Sequence, residues 1–161
     1  MGVILMRFNI VCVGNIKEKF YTQACEEYIK RLSKFHQVNV IEVEEEKLPK
    51  NFTVADIAKV QVKEGLRIEK HLKDFVVILD IYGKNFSSEE LATKIKDLAS
   101  KTFTITFVIG GSYGLSKAIK EKADLMLSFS KFTFPHQLMR VILLEQLYRS
   151  TTITNNIPYH K

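Results

Sequence analysis

Residues 104–114, Thr-Ile-Thr-Phe-Val-Ile-Gly-Gly-Ser-Tyr-Gly, form the stretch that says most about the fold. The first six residues are mostly apolar or β-branched, which predicts a strand (104–109) covered on both faces. The glycine-rich end is typical of a turn from a strand into a helix, and a short helix is predicted over 115–122. A second apolar run, 75–81, has the same character. The central strands are therefore predicted to be parallel and enclosed between helices.

Outward from this stretch, segments with a period of two alternate with segments with a period of 3.6. Further strands are predicted at 7–13, 38–43 and 125–129. Helices are predicted at 18–32, 53–72, from 87 onward, and at about 136–150. This alternation predicts one α/β domain over 1–161, with a mostly parallel sheet flanked by helices. Residues 1–5 are interpreted as an upstream extension without a structural role.

Three of the predicted helices carry a recognisable start. Thr53 is a candidate N-cap, and Ser87 with Glu90 has the spacing of a capping box. Pro135 suits the first turn of the last helix. The predicted inner face of helix 53–72 consists of apolar residues at helical spacing. These residues are Val54, Ile57, Ala58, Val62 and Leu66.

The composition limits the class of protein. Hydrophobic residues make up 46% of the 161 residues, enough for one sizeable core. No apolar run reaches the roughly 20 residues that span a bilayer, and the first residues lack a signal-peptide pattern. Cys12 and Cys25 fall in apolar patterns, which favours buried, reduced thiols in a cytoplasmic protein over a disulfide or a nucleophile.

The basic charge is concentrated at one end of the chain. The net charge is +6, and residues 101–161 hold eight Lys or Arg against three acidic residues. A local basic excess is the electrostatic pattern of a polyanion binder, although many basic proteins bind no nucleic acid. The acidic run Glu44-Glu45-Glu46 is interpreted as a solvated loop.

The last predicted helix is apolar nearly all round. Its apolar residues are Leu138, Met139, Val141, Ile142, Leu143, Leu144, Leu147 and Tyr148. In a chain of this size, such a helix needs more cover than its own sheet provides. A homodimer partner is the preferred source of that cover, and a central core helix within one subunit is the alternative.

The turn at 110–114 has three interpretations. Backbone N–H groups between a strand and a helix can meet a ligand, and glycine permits close approach there. The turn also matches G-x-S-x-G, so a serine hydrolase with Ser112, Asp124 and either His136 or His160 is a second interpretation. A plain turn without a ligand is the third. Dinucleotide-binding and P-loop patterns are absent.

Two further segments are candidates for binding. Residues 127–136, Leu-Ser-Phe-Ser-Lys-Phe-Thr-Phe-Pro-His, alternate aromatic and polar residues, which fits an edge strand or a wall for a flat heterocycle. The tail Tyr159-His160-Lys161 can stack, donate hydrogen bonds and meet phosphate, or it can be a frayed end. His36 and His71 are interpreted as surface or helix-end residues, and the histidines share no metal-ligand spacing.

Together these segments resemble the RlmH family of SPOUT (α/β-knot) methyltransferases over residues 6–161. The matching segments keep their order along the chain. They are Val11–Lys19, Leu79–Lys84 with Ser87–Glu89, Phe107–Gly114, Ser128–Gln137, Arg140-Val141 with Leu144–Arg149, and Tyr159–Lys161. Phe132 stands where the family commonly has Met, and residues 155–158 replace a more basic approach to the tail.

The resemblance implies a C-terminal deep trefoil knot, a homodimer packed through the last helix, and bound S-adenosylmethionine. By position, the cofactor contacts would be Leu79, Gly110, Phe129, Ser130, Lys131, Phe132, Thr133 and Phe134. The implied substrate is N3 of a pseudouridine in 23S rRNA of the assembled ribosome, with no metal.

Roles in the reaction follow only as hypotheses. His160 and Tyr159 are the candidates for catalysis or for orienting the base. Arg140, Arg149 and Lys161 are expected to contact RNA phosphates. Another SPOUT enzyme, acting on ribose 2′-oxygen or on transfer RNA, and a non-catalytic ribosome-binding module remain alternatives.

Overall fold

A computed structural model describes residues 5–161 as a parallel sheet enclosed by helices. The strands and helices alternate along the chain. In order they are β1 (Arg7–Val13), α1 (Lys19–Leu32), β2 (Gln37–Val43), α2 (Val54–Glu69), β3 (Phe75–Asn85), α3 (Ser88–Ala99), β4 (Thr104–Ile109), α4 (Lys117–Lys120), β5 (Leu125–Ser128) and α5 (His136–Thr154). The interpretation of 1–5 as an extension lies mostly outside the described residues, and Leu5 is exposed.

The five strands are parallel and lie in the order β2-β1-β4-β3-β5. β1 and β4 lie next to each other inside the sheet and are almost fully buried, and the mostly apolar sequence of 104–109 predicts this burial for β4. The predicted α/β class with a parallel sheet and flanking helices is confirmed. Whether the C-terminal segments are threaded into a knot stays a prediction, because strand order alone does not test it.

Each face of the sheet has its own apolar core. On one face, α1, α3 and α5 cover Phe8, Ile10 and Phe107. On the other, α2 and α4 cover Val11 and Val108. Cys12 and Cys25 are buried free thiols, as predicted, and burial raises the pKa of Cys12 to about 12. Such a thiol stays protonated and unreactive at neutral pH.

Both predicted N-caps are confirmed. The Asp56 amide donates to Thr53 Oγ1 at 3.3 Å and the Thr53 amide to Asp56 Oδ2 at 2.8 Å. At α3, the Glu90 amide donates to Ser87 Oγ at 3.1 Å and the Ser87 amide to Glu90 Oε2 at 2.7 Å. These reciprocal bonds satisfy amides that the first turn of a helix otherwise leaves unpaired.

The predicted inner face of α2 is wrong. Val54, Val62 and Leu66 are exposed, and the residues facing the core include Val60, Glu64, Gly65 and Ile68. Glu64 is buried on this inner face because its carboxylate accepts the backbone amide of Glu46 at 3.1 Å. Gly65 is there because α4 packs close: a Cβ at this position would lie 2.9 Å from Ser116 Oγ.

Three interpretations of polar or helix-end residues are also corrected. His36 is buried rather than a surface residue, because its ring bonds to the Met6 amide and to Thr151 Oγ1. Glu46 is not merely solvated, because it pairs with Arg67 at 2.7 Å and Lys63 at 3.1 Å. Pro135 is the N-cap of α5 and lies just before its first turn.

Helix α5 is longer than predicted and is partly covered within its own subunit. It packs against α1 and α3, which buries Leu143, Leu144 and Leu147. Leu138 and Ile142 are only half-buried, whereas the half-buried Val141 packs against this core. One side of this helix thus serves the core of the subunit, and the opposite side keeps apolar surface. In the part of the chain described, no helix is long and apolar enough to cross a membrane.

Candidate active site

A cavity of about 680 Å³ lies where β3, β4 and β5 end. Ligands of open parallel sheets bind at the carboxyl ends of the strands, so this is the expected edge. The walls are formed by the end of β3, the glycine-rich turn after β4, the loop after β5 and the start of α5. The lining includes Leu79, Ile109, Gly110, Ser112, Leu127, Phe129, Ser130, Phe132, Thr133, Phe134, His136 and Met139.

One wall of the cavity is an irregular part of β3. Leu79 and Lys84 both pair with Leu127 on β5, so residues 80–83 loop out of the sheet between them. Where the strand returns, a Cβ on Gly83 would lie 2.7 Å from both the carbonyl carbon and oxygen of Met126. Gly83 thus allows the backbones of β3 and β5 to close together. The sequence prediction ended this strand at 81 and missed the excursion.

The second wall is the turn that follows β4. The Gly114 amide donates to the Gly111 carbonyl at 3.1 Å, and Gly114 has a φ of +75°, which favours glycine. A Cβ on Gly110 would lie 3.0 Å from Leu115 Cγ and 3.3 Å from the Gly114 carbonyl carbon. Gly110 therefore serves close approach rather than a left-handed conformation, and it leaves backbone facing the cavity.

The third wall is the loop from Phe129 to Pro135. Ser130 Oγ accepts the Phe132 amide at 3.0 Å, and its carbonyl accepts Ser128 Oγ at 3.0 Å. Asn85 Nδ2 donates to the Ser128 carbonyl at 3.0 Å, which joins this loop to the end of β3. Phe132 is 75% exposed, as an aromatic at the mouth of an open cavity would be.

Seven of the eight residues predicted to contact a cofactor line this one cavity. They are Leu79, Gly110, Phe129, Ser130, Phe132, Thr133 and Phe134. Lys131 is exposed and does not line the cavity. The geometry brings the seven together, and their contact with a cofactor stays a prediction.

Two titratable groups in the cavity are Asp80, which was missed as a site residue, and His136, which was named only within the segment 127–136 and as a hydrolase candidate. Asp80 pairs with Lys120 at 2.9 Å and accepts the Tyr82 amide at 2.8 Å. Burial raises the pKa of this carboxyl, but these two partners outweigh burial and hold it below its usual value. Burial lowers the pKa of His136, which is therefore neutral at physiological pH. The excursion at 80–83 brings Asp80 to the cavity, and neither strand nor helix periodicity in the sequence indicates this excursion.

The predicted tail residues form a second cluster, at the end of α5. Tyr159 Oη donates to Glu145 at 3.1 Å, and Arg149 binds the same carboxylate through two nitrogens at 2.5 and 3.0 Å. The Arg149 guanidinium also lies 4.8 Å from the centre of the Tyr159 ring. Burial, followed by the bonds to Tyr28 and Glu145, raises the pKa of Tyr159 to about 12. The tail is thus docked rather than frayed.

His160 completes this cluster and does not line the cavity of its own subunit. Its Nδ1 lies 3.2 Å from Arg149 Nη1, and its Nε2 lies 2.8 Å from Glu89 Oε1 at the start of α3. Lys161 is exposed. His160 therefore joins the C-terminal tail to both α3 and α5.

Arg140, a predicted phosphate contact, is committed to partners within its own subunit, and its contact with RNA stays a prediction that its burial does not favour. Arg140 is 2% exposed, and it donates to Glu42 Oε2 at 2.7 Å and to the Gly14 carbonyl at 2.6 Å. It joins α5 to the ends of β1 and β2. Arg149 is half-buried and paired with Glu145, so its charge is largely neutralised before any RNA arrives.

The hydrolase interpretation finds no triad. Ser112 is exposed, and within 5–161 the histidine rings that form hydrogen bonds, those of His36 and His160, bond to other residues. Asp124 accepts the Val76 amide at 2.8 Å, and His160 is held by Glu89. Within the same range, no group of three or more His, Cys, Asp or Glu side chains is placed to hold a metal ion.

Comparison with known proteins gives one consistent family. Residues 6–160 match the family described as "Predicted SPOUT methyltransferase". A Methanococcus maripaludis protein, provisionally named ribosomal RNA large subunit methyltransferase H, is 54% identical over 97% of this chain and 100% of its own. Proteins named ribosomal RNA large subunit methyltransferase H from Clostridium novyi and Lactobacillus acidophilus are 50% and 49% identical, with the same coverage.

A solved structure shows the same fold at low sequence identity. The tRNA (m1G37) methyltransferase of Aquifex aeolicus superposes with a TM-score of 0.51 at 17% identity, covering 89% of this chain and 69% of its own.

Proposed function

Since the chain belongs to the SPOUT methyltransferase family, we propose that it transfers a methyl group from S-adenosylmethionine to N3 of a pseudouridine in 23S rRNA of the assembled ribosome, in the cytoplasm. The observation that carries this proposal is the sequence identity of 50% and 49%, over 97% of the chain, to two proteins named for methylation of large-subunit ribosomal RNA. A cavity at the strand ends of the sheet gives the proposal a site.

The cavity suits S-adenosylmethionine in size and chemistry. Its volume of about 680 Å³ falls in the range of small-molecule sites, and its walls are mainly apolar and aromatic. Leu79, Gly110 and the loop from Phe129 to Phe134 would hold the cofactor, and the faces of aromatic rings favour a sulfonium cation. When bound, the cofactor supplies an already activated methyl group.

The tail is proposed to serve the cavity of a second subunit. His160 and Tyr159 are docked on α5 and α3 and do not line the cavity of their own subunit. The half-buried apolar side of α5, with Leu138 and Ile142, offers a surface for a homodimer. A dimer through this helix would bring one subunit's tail towards the other's donor.

Positioning is the main contribution of the protein to methyl transfer. The reaction is an in-line displacement at the methyl carbon, so holding the pyrimidine nitrogen in line accounts for much of the rate gain. As the nitrogen–carbon bond forms, the bond between the methyl group and sulfur breaks, the neutral thioether leaves, and the N3 proton passes to water. Tyr159 and His160 are proposed to bind and orient the base. His160→Ala should lower kcat by roughly 100-fold, and a change of less than about threefold would remove His160 from this role.

The basic excess after residue 101 would bring RNA to the site. Arg149 is committed to Glu145, so Lys161 and other exposed lysines of this region are the better candidates for phosphate contacts. Such contacts add affinity that falls with salt and contribute little to the choice of base.

Label transfer to ribosomes tests the proposal. The protein is incubated with methyl-labelled S-adenosylmethionine and either intact ribosomes, separated subunits, or ribosomes from cells lacking the pseudouridine synthase. We expect label only in intact ribosomes that contain pseudouridine, and mass spectrometry should place it on a base of 23S rRNA. Label in transfer RNA or on ribose, or no label at all, would contradict the proposal.

A further inference from the structure

Both ring nitrogens of His160 are occupied by charged side chains. Arg149 Nη1 lies 3.2 Å from Nδ1, and Glu89 Oε1 lies 2.8 Å from Nε2. Arg149 comes from α5 and Glu89 from the first turn of α3, so the imidazole is fixed from two helices. The tail reaches this position 71 residues after Glu89.

The identities of the two partners determine where the imidazole proton lies. A guanidinium only donates hydrogen bonds, so Nδ1 of His160 has to accept from Arg149. The proton of the neutral ring is then on Nε2, where a carboxylate, which only accepts, receives it. A doubly protonated ring would set an N–H on Nδ1 against an N–H of Arg149.

Glu89 is well placed to hold this proton. The capping box between Ser87 and Glu90 fixes the first turn of α3, and Ser88 Oγ donates to Gln146 on α5 at 2.8 Å. The pKa of Glu89 is lowered, first by its own backbone amide and then by His160 and Ser87, so it is ionised at neutral pH. An ionised acceptor in a fixed turn can orient a ring that belongs to the C-terminal tail.

We propose that Glu89 is a positioning residue for methyl transfer, which together with Arg149 holds His160 as the neutral tautomer protonated on Nε2. This inference rests on the proposed function, because it concerns how the tail meets the base. Held in this way, His160 has no free lone pair. It therefore contributes an oriented ring to base binding and does not accept the N3 proton.

Nuclear magnetic resonance of nitrogen-15-labelled histidine tests the tautomer without any assay of methylation. His160→Ala identifies the His160 signals among those of the four histidines. In the wild-type protein we expect Nδ1 in the unprotonated range and Nε2 in the protonated range. Glu89→Ala should move both towards averaged values, and Glu89→Gln, whose amide oxygen still accepts, should restore the wild-type pattern. A wild-type ring protonated on Nδ1, or a ring unchanged in Glu89→Ala, would overturn the proposal.

Methylation assays on intact ribosomes complete the test. Glu89→Ala should lower kcat about tenfold with an unchanged KM for S-adenosylmethionine, and Glu89→Gln should recover most of the activity. Asp97→Asn, on the exposed side of the same helix, is the matched control and should behave as wild type. Glu89→Ala should also add nothing to His160→Ala.

Additive losses in that double variant, or full activity in Glu89→Ala, would contradict the role of Glu89. Failure of the wild-type protein to methylate ribosomes would instead contradict the proposed function, and the tautomer measurement would be unaffected.

Discussion

The cavity and the tail cluster are built in different ways. The cavity depends on backbone: the β3 excursion closed by Gly83, the turn at Gly110, and a loop held by Ser130 and Asn85. The tail cluster depends on charged side chains. Its members are Glu89, Glu145, Arg149, Tyr159 and His160.

This difference indicates a division of labour. A donor that is the same in every turnover suits a preformed pocket whose shape comes from the main chain. The C-terminal tail is proposed to meet the ribosomal substrate, and its polar contacts fix the orientation of the side chains that would do so. Substitutions that add a Cβ to a glycine should therefore lower stability and cofactor binding at the cavity. Conservative changes of side-chain charge or length should lower kcat at the tail cluster.

Gly83→Ala should have the largest effect. A Cβ 2.7 Å from the Met126 carbonyl would force β3 and β5 apart, which should lower the free energy of unfolding by about 3 kcal/mol and weaken binding of S-adenosylmethionine more than tenfold. Chemical denaturation and calorimetry measure the two effects. Gly114→Ala, where no atom lies within 4 Å of the added Cβ, should cost only about 1 kcal/mol for its positive φ. Equal effects of the two changes would contradict the cavity half of the comparison.

Acid should act through His36, which lies in neither region and bonds to Thr151 near the end of α5. Burial lowers the pKa of His36 from 6.5 to about 4. The unfolded chain therefore takes up this proton first as the pH falls, so the stabilisation is complete above pH 6.5 and is lost between 6.5 and 4. The loss should reach about 3 kcal/mol. Urea denaturation across this range measures it, and His36→Gln should remove that part of the pH dependence. If the free energy of unfolding of the variant falls between pH 6.5 and 4 as steeply as that of the wild type, His36 is not the cause of the acid sensitivity.

Arg149→Lys should change activity more than stability. Lysine keeps the charge but loses the two-nitrogen contact with Glu145 and the stacking on Tyr159. We expect kcat to fall about tenfold, equivalent to about 1.4 kcal/mol, with binding of S-adenosylmethionine unchanged. Steady-state kinetics and calorimetry separate the two quantities. A loss of cofactor affinity would mean that the two regions are not independent.

The smallest expected effects come from a matched pair of helix caps. Thr53→Ala and Ser87→Ala each remove one capping box and should each lower the free energy of unfolding by about 1 kcal/mol. Only Ser87 fixes the turn that carries Glu89, so only Ser87→Ala should also lower kcat, by about threefold. Thermal unfolding and kinetics of both variants check this. An equal fall of kcat in both would indicate a general effect of stability.

Local features of the fold were predictable from the sequence. β1 and β4 have the predicted bounds, since runs of mainly apolar and β-branched residues that end in a glycine turn indicate strands. Both N-caps were recognised, and so was the capping box of Ser87 with Glu90, because it depends on residues three positions apart; Asp56 as the partner of Thr53 was missed. The inner face of α2 was predicted wrongly because the spacing of apolar residues shows that they share one face of the helix but not whether that face packs on the sheet. Glu64 and Gly65 face inward for reasons that lie in the Glu46 loop and in α4.

The site was predictable only where it depends on local sequence, as the strands and helix caps do. The turn at 110–114 and the loop after 128 are visible as composition, so they were marked as candidates for binding. Asp80 and Gly83 were not, because their roles depend on which strand lies beside β3. The burial of Arg140 and the pairing of His160 with Glu89 depend on contacts 98 and 71 residues apart, which no local pattern indicates.

A crystal structure with S-adenosylhomocysteine tests the central claim most directly, because it locates the donor and the tail together. The account predicts the ligand in the cavity lined by Leu79, Gly110, Phe129 and Phe134, with the His160 ring of a second subunit beside it. Ligand bound anywhere else, or a cavity filled without any tail nearby, would contradict it.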